Sequence, residues 1–289
     1  MLQDSQSKHE FLPRGKLTIL QSVYHILVVL PLYISTLLMA RFFIHLAYNG
    51  NKYNGWQSQL NGITVQGQLV EKLSLLLKEE VSITGAGRTD TGVHARNFYA
   101  HFDNNKLELN ELDKLVYHLN SILPHDIAIK SIFPVTPDAH ARFSALSRSY
   151  EYLIHFKKDP FLEGFSHQYF RTLDVDIMQK ACQLLLEYND FKAFSKSHTD
   201  VKTYICKISN ASWTSTDNQL IFNITADRFL RNMVRAISGT MLELGRGSKN
   251  LDDFRKIILS RERSSAGQSV PPEGLYLTQI IYPENIFKI

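Results

Sequence analysis

The spacing of apolar residues along the chain alternates between the period of a strand and the period of a helix. Residues 41–48, RFFIHLAY, place an apolar side chain at every second position, which predicts a half-buried strand. Residues 64–79 repeat apolar residues at helical spacing, and further strand-like and helical stretches follow up to residue 135. The resulting order, β-α-β-β-α-β, is typical of the ferredoxin-like arrangement.

The same alternation restarts after residue 146. A strand pattern is followed by a helix, a pair of strands, a long helix beginning at Arg228, a shorter helix and a closing strand. We therefore expect an α+β fold with two ferredoxin-like halves, residues 39–145 and 146–289, and a cleft between their sheets. Clefts at domain junctions are common places for binding sites.

The first 38 residues do not follow this pattern. Residues 17–40 contain no charged side chain and are preceded by Arg14 and Lys16, as in a signal peptide or a membrane anchor of ~20 residues. Pro31 interrupts the stretch, and the strand pattern begins directly after Met39. We therefore expect residues 1–38 to lie outside the catalytic core, with Met39 as the natural start. A genuine anchor is the alternative, and only then would a membrane be a partner.

Charge and cysteine content limit the classes of function. The 289 residues carry a net charge of +4, which permits an anionic partner such as a nucleic acid but does not require one. The two cysteines do not form a CxxC pair, so we expect a reducing, cytoplasmic location and no disulfide framework. No HExxH motif or Cys/His cluster predicts a bound metal, and none is expected.

The stretch GAGRTDTGVHA, residues 85–95, places Asp90 on a glycine-bracketed turn between two predicted strands. Most aspartates at such positions cap a helix or form an Asx-turn. A phosphate-binding loop fits less well, because the third glycine of GxGxxG and the GK[ST] of a P-loop are both missing. Arg88 could form a surface ion pair with Asp90 or keep its carboxylate charged. A charged carboxylate that projects into a cleft can act as a nucleophile.

Three arginines recur in the stretch DRFLRNMVR. Arg228, Arg231 and Arg235 follow the spacing i, i+3, i+7 and would share one face of the long predicted helix. A solvated helix face is the simplest interpretation of such spacing.

Two more arginines accompany aromatic residues. Arg142 and Arg148 precede the strand that carries Tyr150 and Tyr152. Arginines combined with aromatic rings suit a phosphate backbone and a stacked base. The arginines expected to contact an RNA backbone are Arg142, Arg148, Arg228 and Arg231.

Several motifs occur together in a recognisable order. GAGRTDTGVHA, HARFSALSRSYEY, RFLRNMVR with SGTMLELGRG, and PPEGLYL resemble the motifs of the tRNA pseudouridine synthase TruA family, from about Met39 to the C-terminus. The resemblance implies an enzyme that isomerises uridine to pseudouridine at positions 38 to 40 of the tRNA anticodon arm. It also implies a homodimer whose subunits share each tRNA and that needs no cofactor.

The resemblance assigns roles to individual residues. Asp90 matches the catalytic aspartate, and Arg88 matches an arginine thought to help extrude the base and to pair with that aspartate. Tyr150 matches the tyrosine that stacks on the target base. Arg235 matches an arginine that pairs with the aspartate, and Leu275 matches a residue of the pocket wall. On this basis Asp90 attacks either ribose C1′ or uracil C6, and Tyr150 also moves the C5 proton late in the reaction.

Two other classes of function stay open on the sequence. The first is an RNA-binding protein without catalysis, although pure binding gains nothing from a carboxylate that faces phosphates. The second is a hydrolase that uses Asp90 together with His94. We expect His94 to be a structural hydrogen-bonding residue instead.

Overall fold

The computed structural model describes residues 40–197 and 201–287. Contacts divide the chain into Met1–Met39 and Ala40–Ile289, and the described residues belong to the second unit. The expectations for residues 1–38, a late start or a membrane anchor, therefore lie outside the described residues. Within them, none of the helices has the length and apolar character needed to cross a membrane.

Nine strands and five α-helices make up the described part of the chain, which confirms the α+β class. The strands are β1 (Arg41–Tyr48), β2 (Thr84–Gly85), β3 (His94–Asp103), β4 (Ile127–Val135), β5 (Ser147–His155), β6 (His167–Gln168), β7 (Ile208–Ser215), β8 (Gln219–Ala226) and β9 (Leu275–Ile281). The helices are α1 (Val65–Leu77), α2 (Leu112–Ile122), α3 (Val175–Glu187), α4 (Met233–Gly245) and α5 (Leu251–Ser260).

Short polar side chains fix where several helices begin. The hydroxyl of Thr64 accepts the N–H of Gly67 at the start of α1, and the carboxylate of Asp174 accepts the N–H of Ile177 at the start of α3. Asn250 begins α5 with a capping box. Each cap satisfies backbone donors that a first turn leaves free, at about 1 kcal/mol per cap.

All nine strands belong to one sheet. Its path is β4-β1-β3-β9-β5-β8-β7, with β2 paired to β3 and β6 paired to β5. The closing strand β9 runs parallel to β3 and antiparallel to β5, so it joins the strands of both halves. The expectation of two separate sheets is therefore wrong. A central position gives β9 hydrogen-bond partners on both edges, which removes two exposed sheet edges.

The apolar interior falls into two clusters. One is built around Phe43, Phe98 and the first-half helices, and the other around Phe222, Phe254 and the second-half helices. Strand β9 contributes to both, because Leu275 belongs to the second cluster while Leu277 and Ile280 belong to the first. The start of β9 therefore lies where the two clusters meet.

Candidate active site

A cleft of about 790 Å³ opens between the start of β3, the start of β5 and the start of α4. This volume is typical of a small-molecule or nucleoside-sized site. The residues of the cleft that sequence analysis singled out are Arg88, Asp90, Arg142, Arg148, Tyr150, Arg228, Arg231, Arg235 and Leu275. Residues far apart in the sequence thus share one cleft, but they do not all have the same surroundings within it.

The loop between β2 and β3 holds Asp90 on a tight turn. The N–H of Val93 donates to the carbonyl of Asp90 at 3.2 Å, and Gly92 takes the positive φ of +78° that such a turn requires. Gly55, at φ +82°, lies directly against this loop, because an added Cβ would be 2.3 Å from the carbonyl oxygen of Thr89. The hydroxyls of Thr89 and buried Tyr48 are 2.9 Å apart. The carboxylate is therefore presented by a fixed backbone.

Two guanidinium groups lie against the Asp90 carboxylate, whose side chain is 24% exposed. Nη1 of Arg235 is 3.3 Å from Oδ2, and Nε of Arg231 is 3.7 Å from Oδ1. Arg235 is itself held, because its Nε donates to the carbonyl of Val270 at 2.8 Å. One fixed and one exposed cation thus compensate the charge of this carboxylate.

Arg88 does not take the place that the sequence indicated. Its side chain is exposed on the rim of the cleft, and within the described residues the cations paired with Asp90 are Arg231 and Arg235. The expected ion pair between Arg88 and Asp90 is therefore not the one observed. Arg88 is exposed at the cleft, where it can contact a ligand.

Tyr150 faces the same cleft from β5. Its ring meets the ring of Phe229 edge-on, with centroids 5.0 Å apart and an interplanar angle of 85°. Burial raises the pKa of Tyr150 to about 12, with Arg148 opposing the rise and Asp90 adding to it. The phenol is therefore protonated at neutral pH, with a ring that can stack and a hydroxyl that can donate.

Leu275, the first residue of β9, is buried and lines the cleft. The segment before it, Pro272–Gly274, is a short 3₁₀ turn, and Pro272 packs against the turn at Gly92. The C-terminal motif therefore supports both the wall of the cleft and the loop that carries Asp90.

The three arginines of DRFLRNMVR do not share a helix face. Helix α4 begins only at Met233, after Asn232 adopts a left-handed conformation at φ 65°. The predicted helix start at Arg228 is therefore wrong, because the left-handed residue interrupts the helix. Arg231 still reaches Asp90 from the turn, whereas Arg228 donates to the carbonyls of Thr203 and Ile205 at 3.2 and 3.4 Å.

Arg148 also differs from expectation. Its guanidinium donates to the backbone carbonyls of Ala86, Arg142, Ala145 and Asp227. Burial lowers its pKa. With its donors used in this way, Arg148 ties the loops around the cleft together, which makes contact with an RNA backbone a poor fit.

His94 is buried and hydrogen-bonded on both ring nitrogens. Nδ1 accepts the N–H of Gly50 at 3.1 Å, so Nε2 carries the proton and points to the carbonyls of Gly164 and Glu273 at 3.1 and 3.2 Å. Burial lowers the pKa of His94, which favours the neutral ring. The interpretation of His94 as structural is confirmed. His94 is therefore not available as the general base that a hydrolase using Asp90 would need.

A second cleft, which was not predicted from the sequence, adjoins the Asp90 loop. It has a volume of about 1040 Å³ and shares Arg88, Asp90, Arg231 and Arg235 with the first. Its remaining lining is mostly polar, and includes Asn54, Gln57, Gln59 and Arg263. The stretch NGWQSQ, residues 54–59, could have indicated this cleft, since side-chain amides clustered beside a turn suit contacts to a polar ligand.

Neither cleft holds a group of metal ligands. Among the described residues, no three or more His, Cys, Asp or Glu side chains lie together as a metal site would need. Cys182 and Cys206 are buried and unpaired, and burial raises the pKa of each thiol to about 12. Both cysteines are therefore neutral thiols of the core.

The chain is similar to several bacterial proteins. A family model described as tRNA pseudouridine synthase matches residues 181–283. A tRNA pseudouridine synthase A of Parabacteroides distasonis is 49% identical over 251 residues, which cover 87% of this chain and 99% of that protein. The protein of the same name from Porphyromonas gingivalis is also 49% identical, with 86% and 100% covered.

A more distant relative extends the same picture. The tRNA pseudouridine synthase A of Caldicellulosiruptor bescii is 40% identical over 247 residues, covering 84% of this chain and all of that protein. The motif residues around one cleft and these full-length similarities lead to the same conclusion. The chain belongs to the tRNA pseudouridine synthase A family and is an isomerase.

Proposed function

We propose that this chain isomerises uridine to pseudouridine at positions 38 to 40 of the tRNA anticodon arm, with Asp90 as the nucleophile. One observation carries the proposal. The Asp90 carboxylate is fixed in a nucleoside-sized cleft between the Arg235 and Arg231 guanidinium groups, 3.3 and 3.7 Å away. His94 is the candidate general base closest to Asp90 in the sequence, but both of its ring nitrogens are hydrogen-bonded to backbone groups.

The reaction needs an anion and an extruded base, and no co-reactant. The carboxylate adds to ribose C1′ or to uracil C6, and the N1–C1′ bond breaks. The uracil then turns over, C5 bonds to C1′ and the bond to Asp90 is released. The C5 proton is lost to solvent, and N1, freed from the ribose, takes up a proton. Atoms balance between uridine and pseudouridine. A base inside a stem or a stacked loop must leave the stack before the carboxylate can reach it.

The other residues around the cleft fit the remaining tasks. Tyr150 offers a ring on which the uracil can stack, and as a protonated phenol it donates a hydrogen bond rather than acting as a base in the resting enzyme. Leu275 closes the apolar side of the pocket. Arg88 is exposed at the rim, where it can occupy the place of the extruded base.

Two further features belong to the proposal. The halves are ferredoxin-like repeats, supported by the antiparallel strand orders β4-β1-β3-β2 and β9-β5-β8-β7, which have the same relation to chain order. The enzyme works in the cytoplasm as a homodimer whose subunits share each tRNA, as the family resemblance implies. Light scattering of the purified chain tests the homodimer.

The test of the proposed function is direct. The purified full chain is incubated with an unmodified tRNA transcript that has uridines at positions 38 to 40, and pseudouridine is mapped by chemical probing and primer extension. We expect pseudouridine at those positions without added metal or cofactor. Tight tRNA binding without any pseudouridine would instead support an RNA-binding protein without catalysis.

A further inference from the structure

Phe143 projects a large apolar side chain from the rim of the cleft. The residue is 75% exposed and lines the cleft together with Arg142. The guanidinium carbon of Arg142 is 5.5 Å from the centroid of the Phe143 ring. Single exposed apolar residues are common, so exposure by itself does not indicate a role. What distinguishes Phe143 is how firmly its backbone is held.

Local hydrogen bonds fix the turn that carries the ring. The N–H groups of Arg142 and Phe143 donate to Nδ1 of His140 at 3.1 and 3.3 Å. The N–H of His140 donates to the hydroxyl of Ser144 at 2.9 Å, and the N–H of Ser144 donates back to the carbonyl of His140 at 2.9 Å. The imidazole of His140 also packs against the Phe143 ring, with centroids 4.4 Å apart.

Long-range hydrogen bonds anchor the same turn to the sheet. The N–H of Ala141 donates to Nδ1 of buried His101 at 3.1 Å, and its carbonyl accepts the hydroxyl of Tyr282 at 2.6 Å. The Arg148 guanidinium donates to the carbonyl of Arg142. Strands β3 and β5 and the C-terminal segment thus all hold this turn. An exposed aromatic ring on so rigid a support loses little conformational entropy when a flat ligand stacks on it.

We propose that Phe143 is a stacking platform for an unpaired base next to the target uridine, and that Arg142 contacts the adjoining phosphate. The inference rests on the proposed function, because it takes the ligand of the cleft to be RNA. Phe143 and Asp90 line the same cleft, so a strand whose target base lies at Asp90 passes the Phe143 ring. Stacking of one base on an aromatic side chain strengthens binding by about 5- to 150-fold.

Three substitutions separate stacking from other contributions. Phe143→Ala removes the ring, Phe143→Leu keeps apolar volume without an aromatic face, and Phe143→Tyr keeps the face. Phe161→Ala is the matched control, since Phe161 is 88% exposed and lines neither cleft. Pseudouridine formation in an anticodon stem-loop RNA is measured under single-turnover conditions over a range of enzyme concentrations. The half-saturating concentration and the limiting rate are thereby obtained separately.

The expected result is a rise of about 5- to 150-fold in the half-saturating concentration for the Ala and Leu variants, with a limiting rate close to wild type. Phe143→Tyr and Phe161→Ala should behave like wild type. A second readout places 2-aminopurine at each unpaired loop position in turn. One position should be quenched on binding by wild type and Phe143→Tyr but not by Phe143→Ala.

The outcomes distinguish the two levels of inference. If wild type forms no pseudouridine, the proposed function fails. If wild type is active but Phe143→Ala binds the RNA as tightly, and no probe position differs between the two proteins, the stacking platform is refuted. A loss for Phe143→Ala that Phe143→Leu restores would also overturn it, because apolar contact rather than an aromatic face would then be responsible.

Discussion

At the scale of single residues, the two arginines beside Asp90 differ in how they are held. Arg235 is 19% exposed and is also bonded to the Val270 carbonyl, whereas the side chain of Arg231 is 54% exposed. A fixed, partly buried cation suits the reacting carboxylate, and an exposed one suits a phosphate. This difference predicts separate effects on turnover and on binding.

Arg235→Ala should lower the limiting rate of pseudouridine formation by about 100-fold with little change in tRNA affinity. Arg231→Ala should weaken binding to all tRNAs and reduce the dependence of log K on log salt by about 1. Arg255→Ala on the exposed face of α5 serves as the control and should change neither quantity. Titrations at several salt concentrations, with single-turnover rates, check this. Equal effects of both cleft variants on affinity alone would contradict the division.

Gly55 and Gly87, near Asp90, differ in whether the structure has room for a side chain. Gly55→Ala places a Cβ 2.3 Å from the Thr89 carbonyl at a positive φ, so we expect a loss of about 1–3 kcal/mol in unfolding free energy and a fall in activity. Gly87 lines the cleft, and an added Cβ meets no protein atom within 4 Å. Gly87→Ala should therefore keep or slightly raise stability, while RNA binding weakens because the methyl group occupies the cleft. Urea unfolding and binding titrations of both variants check this, and a destabilised Gly87→Ala would contradict it.

At the scale of elements, local patterns predicted the strands and helices that depend on local signals. The alternation in residues 41–48 and the helical spacing of apolar residues in 64–79 correspond to the observed β1 and α1. The start of α4 could not be predicted in this way. Arginine spacing favoured a helix from Arg228, but Asn232 takes a left-handed conformation that tertiary packing selects.

In the candidate site, too, some features could be predicted from local motifs and others depend on contacts between distant parts of the chain. Asp90 and Arg235 were identified from motifs, and the structure brings them together. The surroundings of Arg148 and Arg228 depend on carbonyl groups of loops distant in sequence, which no spacing reveals. The central position of β9 is equally non-local, since its partners β3 and β5 lie far before it in the chain.

His101, the buried histidine that holds the Phe143 turn, predicts how the stability of the protein depends on pH. Burial lowers the pKa of His101 to about 4, with nearby Arg41 adding to the effect. In the unfolded chain a histidine titrates near 6.5. The unfolded state therefore binds a proton first as the pH falls, so stability is full above about pH 6.5 and is lost progressively down to about pH 4.

We expect the urea midpoint of the wild-type protein to fall over this pH window. His101→Gln should flatten the fall, because an amide does not titrate, whereas His118→Gln on the exposed face of α2 should leave it unchanged. Equal pH dependence in wild type and His101→Gln would show that another group is responsible.

At the scale of the whole molecule, the C-terminal strand connects the two halves. Because β9 pairs with both β3 and β5, the loop that carries Asp90 and the helix that carries Arg235 are positioned against each other by one continuous sheet. Each half supplies only part of the site: Asp90 comes from the first half, and Tyr150, Arg235 and Leu275 come from the second. Neither half is therefore expected to be active alone.

The most direct measurement follows the C5 proton of the target uridine. Transcript tRNA labelled with tritium at uracil C5 is mixed with excess wild-type protein or with Asp90→Asn, and released tritium is counted over time. We predict release from the wild-type reaction in step with pseudouridine formation. Asp90→Asn should bind the tRNA equally well yet release no tritium, because an amide is a far weaker nucleophile. Release by Asp90→Asn at more than a trace of the wild-type rate would contradict the role of Asp90 as the nucleophile.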